Sequence, residues 1–168
     1  GGPARQITNS PESEDDATFS PDGKWIAFDS GKGGNQEIWL MPANGNYKKD
    51  AKQFSNQGGL TQVPTWSPDS RFIAYETNDA EGNSSIWMKS AKGGPSMQVA
   101  TKCSTPNWSP DGKWIMFESD RSGKKSIYKI EAPSRIRMGK PVTFFAQVEV
   151  NHHKERQQIF EEAWKAVN

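Results

Sequence analysis

The chain has 168 residues and a formal net charge of +1, from 21 basic and 20 acidic side chains, so it has no basic excess suited to a nucleic-acid backbone. Hydrophobic residues make up only 33%, yet aromatics reach 11% with seven Trp, beside 15 Gly and 11 Pro. That mixture favours short strands and many turns over helix bundles. A single cysteine, Cys103, excludes an internal disulfide, and no apolar run approaches the roughly 18 residues of a membrane-crossing helix.

In chain order, the opening "GGPARQIT" has no signal-peptide pattern and reads as the interior of a longer sequence. Its "RQIT", from Arg5, looks like the closing strand of a preceding unit over residues 1–9. "DATFSPDGKWIAFDS", Asp16 to Ser30, then gives a strand ending at Phe19, a Ser-Pro-Asp-Gly turn, and a second strand whose apolar and polar residues alternate. "NQEIWLMPANG" from Asn35 supplies a third strand around Ile38 and Trp39, and "KQFS" from Lys52 a short fourth.

The same four segments return twice. "VPTWSPDSRFIAYET" (Val63 to Thr77), "NSSIWMKSAKG" and "MQVA" form the second unit. "TPNWSPDGKWIMFES" (Thr105 to Ser119), "KKSIYKIEAPS" and "VTFF" from Val142 form the third. The shared serine falls at Ser20, Ser67 and Ser109, which sets periods of 47 and 42 residues. Four short antiparallel strands per unit of about 40 to 50 residues is the pattern of a β-propeller blade. An ordinary all-β sandwich does not explain turn chemistry that returns at one period. The predicted fold is therefore all-β: a propeller fragment of three four-stranded antiparallel blades over about 14–56, 62–102 and 104–147.

After Phe145 the pattern changes. From Lys154 the chain is rich in helix formers, and Ile159, Phe160, Ala163 and Trp164 share one apolar face. Asn151 is placed to cap the start. The pattern predicts a linker and a helix over 148–168, the helix from about His152 to Val167, as the first helix of a following domain.

"WSPDGKWIMFESDRSGKKSIY" resembles the repeats of TolB-like propellers, which the periplasmic translocation protein TolB shares with the propellers of tricorn-type and prolyl-oligopeptidase-type peptidases. The resemblance takes in all three units. The junction "MGKPVTFFAQVEV" into "ERQQIFEEAWKAVN" is similar to the step from propeller to peptidase core in tricorn-like serine peptidases. That resemblance implies a propeller acting in substrate access or selection, with the catalytic serine and its partners in core domains downstream, so it carries no catalytic residue onto this chain. It also favours an extracytoplasmic location over a cytoplasmic one.

The residues themselves point the same way. His152 and His153 are adjacent at a helix start, about 100° apart around the axis, which is poor geometry for a shared metal. Cys103 has no patterned base beside it and reads as a small core residue. No nucleophile elbow, phosphate-binding loop or metal-ligand spacing occurs. Neither a catalytic residue nor a metal ligand nor a cofactor site is therefore nominated.

Asp22, Asp69 and Asp111 recur at corresponding turns, and the rotation between blades sets them apart, so they do not make a paired-carboxylate site. Their local role suffices. Pro21, Pro68 and Pro110 fix φ, each Asp bonds the backbone two residues on, and Gly23 and Gly112 accept a positive φ. Ser70 replaces the glycine in the second turn, which predicts strain or another geometry there. Phe19, Trp66, Trp108, Trp25, Phe72, Trp114, Trp39, Trp87 and Tyr128 are expected to pack blade on blade.

Three blades do not close a ring. The expected partners are the rest of the chain's own polypeptide or further copies at exposed blade faces, with a peptide or protein substrate in reach. Neither a nucleic acid nor a membrane span is expected. The pure binding module, as in TolB, and the prolyl-oligopeptidase-type propeller stand as alternative parents.

Overall fold

The computed structural model describes residues 2–134. The predicted C-terminal helix, with Ile159, Phe160, Ala163 and Trp164, and the fourth strand of the third blade lie outside the described residues, as do both histidines.

The described chain is a β-propeller segment. The first blade contains β1 (Glu14–Phe19), β2 (Trp25–Ser30), β3 (Glu37–Pro42) and β4 (Lys52–Gln53), paired antiparallel in that order. The second contains β5 (Leu60–Trp66), β6 (Phe72–Asn78), β7 (Ser84–Ser90) and β8 (Ser96–Thr101), again in sequential order. β9 (Ser104–Trp108), β10 (Trp114–Ser119) and β11 (Ser126–Glu131) are the described strands of the third. Registers repeat: Phe28 lies opposite Trp39, Tyr75 opposite Trp87 and Phe117 opposite Tyr128. Arg5 to Thr8 is in no strand. A single turn of helix, α1 (Tyr47–Asp50), precedes β4 and has no signal in the repeat; Asn46 caps it by accepting from Lys48 N.

Alternation along each strand sends its two sets of side chains to opposite faces of the blade. Between the first and second blades, Ala27, Ile38, Leu40 and Phe54 meet Trp66, Ile73 and Tyr75. Between the second and third, Ala74, Ile86, Met88 and Val99 meet Trp108, Ile115 and Phe117. The core is thus a set of layers between blades. The rule is the same at each interface: the last aromatic of strand one closes over the alanine of strand two and the isoleucine of strand three in the blade before it.

The inner strands share a feature that the sequence does not advertise. β1, β5 and β9 each break register against their partner strand, as β-bulges do. Asp16, Val63 and Thr105, at one repeat position, all have positive φ, of 48°, 53° and 51°. For β-branched Val and Thr this is uncommon backbone, and its recurrence in three blades marks it as part of the fold.

The stacking rule makes a direct prediction. Ile86 is fully buried, whereas Ile127, its counterpart in β11, is 69% exposed. Ile86→Ala should lower stability by about 2–5 kcal/mol, and Ile127→Ala should change it by no more than about 0.5 kcal/mol, both read from denaturant midpoints at unchanged m-value. Equal losses would mean that the outer face of the third blade is covered.

Candidate functional site

The Ser-Pro-Asp turns are built identically. Ser20, Ser67 and Ser109 each donate through Oγ to the aspartate two residues on, at 2.6 Å in every case. Each of these serine hydroxyls also accepts from the backbone N–H of the first residue of strand two, Trp25, Phe72 or Trp114, at 2.9 Å. The aspartates in turn accept from the N–H of Lys24, Arg71 and Lys113, at 3.0 to 3.1 Å. Ser70 keeps the geometry of Gly23 and Gly112, at φ 59° against 70° for both glycines. Its conformation is that of the glycine it replaces, so the turn keeps its shape and the serine bears left-handed backbone.

Adjacent turns touch, which their separation along the ring did not suggest. Ser70 Oγ accepts from Asp22 N at 3.1 Å, and a Cβ on Gly112 would lie 3.6 Å from Pro68. The carboxylates stay committed to their own turns. The serine hydroxyls hold the Asp22 and Asp111 carboxyls below their ordinary 3.8, helped by backbone N–H groups and the neighbouring Lys24 and Lys113. At Asp69 partial burial pushes upward, but Ser67 and Arg71 together outweigh it and the net shift is also down.

The nominated packing aromatics divide. Trp66 and Trp108 are buried in the two blade interfaces, and Trp87, Phe72 and Tyr128 are partly buried against them. Trp39 is buried with Ile26, Phe28, Met41 and Tyr47 on the other face of the first blade. Phe19 departs from expectation: it is 62% exposed. Its counterparts Trp66 and Trp108 pack on the blade before their own, and the described residues place no such blade beside Phe19. Trp25 is likewise 42% exposed and belongs to neither interface cluster. Trp114 is partly buried, with the Lys129 ammonium 4.4 Å from its ring centre.

The blade 1–blade 2 interface also carries a buried polar network. Glu37, buried at the start of β3, accepts from Gln57 N at 2.9 Å and Gly58 N at 3.1 Å and is bonded by the Ser55 hydroxyl. Ser55 Oγ accepts from Ile38 N at 2.8 Å. Gln57 then donates to the Tyr75 hydroxyl at 3.2 Å, which donates to Ser96 at 2.8 Å. Burial pushes the Tyr75 phenol up. Lys89 Nζ donates to the Phe54 carbonyl at 2.5 Å; burial lowers its ammonium, while the Glu37 charge opposes that. A sequence motif could not announce this network, because its members come from β3, β6, β7, β8 and the connector after β4.

Two clefts open between blades. One, of about 310 Å³, lies between the connector Gln57–Gly59 and the β6–β7 loop, with Thr77, Asp79, Trp87 and Gln98 in its wall. The other, of about 390 Å³, lies beside the Ser67 and Ser109 turns, under Phe72, Trp108 and Trp114. Neither contains a nucleophile paired with a base. Cys103 is buried, and burial pushes its thiol up to about 11, so it is protonated at neutral pH. Among the described residues no group of three His, Cys, Asp or Glu is placed to hold a metal ion.

With this geometry in place, comparison with known proteins settles the family. The TolB beta propeller domain family matches residues 47–152. The chain belongs to the TolB β-propeller domain family. Among solved structures, a putative TolB from Agrobacterium tumefaciens is 26% identical, with a TM-score of 0.60 over 69% of this chain and 42% of that one. TolB from Acinetobacter baumannii is 22% identical, with a TM-score of 0.59 over 74% of this chain and 31% of that one. The propeller domain of the Trilobed protease from Pyrococcus furiosus, described as having an open velcro topology, is 18% identical, with a TM-score of 0.57 over 72% and 39%. The chain thus spans less than half the length of each.

Two measurements probe the site. Glu37→Ala strands two backbone N–H groups and a hydroxyl, and should cost about 3 kcal/mol in urea unfolding, with Glu37→Gln costing about half as much. The turn aspartates are depressed in the folded state, so their contribution to stability is complete above the unfolded value of 3.8 and is lost as pH falls below it. Replacing Asp22, Asp69 and Asp111 together by Asn should therefore flatten the fall in thermal midpoint between about pH 4 and pH 2. An unchanged slope would place the acid sensitivity elsewhere.

Proposed function

We propose that this chain is the non-catalytic propeller segment of a tricorn-like serine peptidase, where it selects or admits peptide substrate and makes protein contacts. The observation that carries the reading is the sequence from Phe145 to Asn168, where turn chemistry gives way to an amphipathic helical pattern immediately after the third blade. The described blades support the non-catalytic part. The serines and aspartates of the Ser-Pro-Asp turns are bonded within the turns, and the thiol is buried and protonated. Fold alone does not assign a reaction, so the reading rests on that junction and on the chemistry of the blades.

A protein-binding propeller of the TolB kind is the second reading, favoured by the 26% identity to the Agrobacterium protein. The two readings separate on the reading frame past Asn168. A helical segment followed by a PDZ domain and a serine-bearing core supports the peptidase parent, and an immediate stop codon supports the binding module.

The purified chain should leave unstructured peptides intact over long incubation by mass spectrometry, while fluorescence anisotropy registers their binding. Turnover by the chain itself would overturn the non-catalytic assignment, and absence of any peptide binding would overturn the selecting role.

A further inference from the structure

The three blades differ at one position, where two of them carry a cation and the middle one an aspartate. In the loop joining strands two and three, Lys32, Asp79 and Arg121 are counterparts, each two residues beyond a buried hydroxyl residue: Ser30, Thr77 and Ser119. In the first blade the Lys32 ammonium lies 4.9 Å from the ring centres of both Trp39 and Tyr47. In the third, the Arg121 guanidinium lies 5.2 Å from Phe117 and 5.1 Å from Tyr128. Its Nε donates to Ser119 Oγ and its Nη2 to the Thr101 carbonyl, both at 2.9 Å. In these two blades, a cation from the chain covers the aromatic of strand three.

The second blade keeps the receptor and lacks the cation. Trp87, the counterpart of Trp39 and Tyr128, is partly buried, and among the described residues no cation lies over its ring. Its indole N–H is already used, donating to Ser85 at 3.0 Å, and the residue lines the cleft. Thr77 Oγ1, the counterpart of the Ser119 oxygen that Arg121 bonds, is buried with no partner. Gly59 stands in the connector where Thr101 offers its carbonyl. Asp79 turns to its own hairpin, accepting from Asn83 N at 2.8 Å and Glu81 N at 3.1 Å, and brings a negative charge to the rim. The space is the 310 Å³ cleft, whose lining has Asp79 as its one ionisable side chain.

We infer that this cleft binds a guanidinium group from outside the chain, seated on Trp87 and bonded to Thr77 Oγ1 as Arg121 is seated and bonded in the third blade. The main elements of that seat have counterparts: Trp87 for the Tyr128 face, the unpartnered Thr77 hydroxyl for Ser119, and Asp79, a carboxylate, in place of the resident cation. The ligand chemistry is an arginine side chain on a peptide or a small free guanidine. The inference is independent of the parent protein's identity, because it concerns binding and not turnover.

Titration calorimetry on the whole chain tests it, using Nα-acetyl-arginine amide, the citrulline counterpart as a neutral isostere, Gly-Gly-Arg-Gly-Gly and methylguanidinium. The arginine amide should bind, and citrulline should bind at least roughly tenfold more weakly. A pentapeptide that binds more tightly than methylguanidinium assigns the site to peptide arginine, and equal binding assigns it to small guanidines. Asp79→Arg should fill the cleft from within, abolish binding and raise the thermal midpoint. Thr77→Val should weaken binding while leaving the cleft open, and it serves if the arginine variant does not fold. Absence of binding by all four probes, equal affinity for citrulline, or unchanged affinity in the folded Asp79→Arg chain each overturns the inference. Failure here leaves the peptidase reading standing, since that reading turns on the sequence past Asn168 and on peptide binding as such.

Discussion

The structure depends on one contact, made twice: the indole at the end of strand one lying on the alanine and isoleucine of the blade before it. Trp66 covers Ala27 and Ile38, and Trp108 shares a cluster with Ala74 and Ile86. A four-stranded sheet has two flat faces and no interior, so a single blade buries little of its own apolar surface. Stacking supplies the core, and stacking therefore decides which repeat positions are buried. Ile38, Ile86 and Ile127 are the same residue in the same place, and among the described residues only the first two lie under a following blade. Phe19 shows the same rule from the other side, as a strand-one aromatic with no earlier blade among the described residues.

That constraint also explains how much of the fold the sequence revealed. Strand order, the length of the unit and the Ser-Pro-Asp turns were legible because they are local and repeated. Turn chemistry needs particular residue types at fixed offsets, and three copies turn a weak signal into a strong one. The exposure of Phe19 was not legible, because burial across a blade interface depends on a neighbour and not on the residue. The bulges at Asp16, Val63 and Thr105 were hidden for another reason. Backbone at φ near 50° usually advertises itself as glycine or asparagine, and here three unrelated side chains adopt it because the register between strands one and two requires it. Ser70 is the intermediate case. Replacement of glycine was visible, but only the structure shows that the turn keeps its shape and that the new hydroxyl takes the Asp22 N–H of the adjacent turn.

The same reasoning locates the candidate sites. Positions that repeat across blades carry architecture, and their polar side chains are occupied with one another, as the serines and aspartates of the turns are. Specific chemistry in a repeat protein belongs where one unit departs from the others while its neighbours keep the common design. The connector after β4 departs in this way. It leaves the sheet after two paired residues, whereas β8 runs for six, and the freed segment brings Gln57 and Gly58 onto the buried Glu37 carboxylate. That detour makes one wall of the cleft, and the exchange of a cation for Asp79 empties it. Two unrelated departures converge on a single space between the first and second blades, and the second blade keeps there the aromatic and the hydroxyl with which its neighbour holds an arginine.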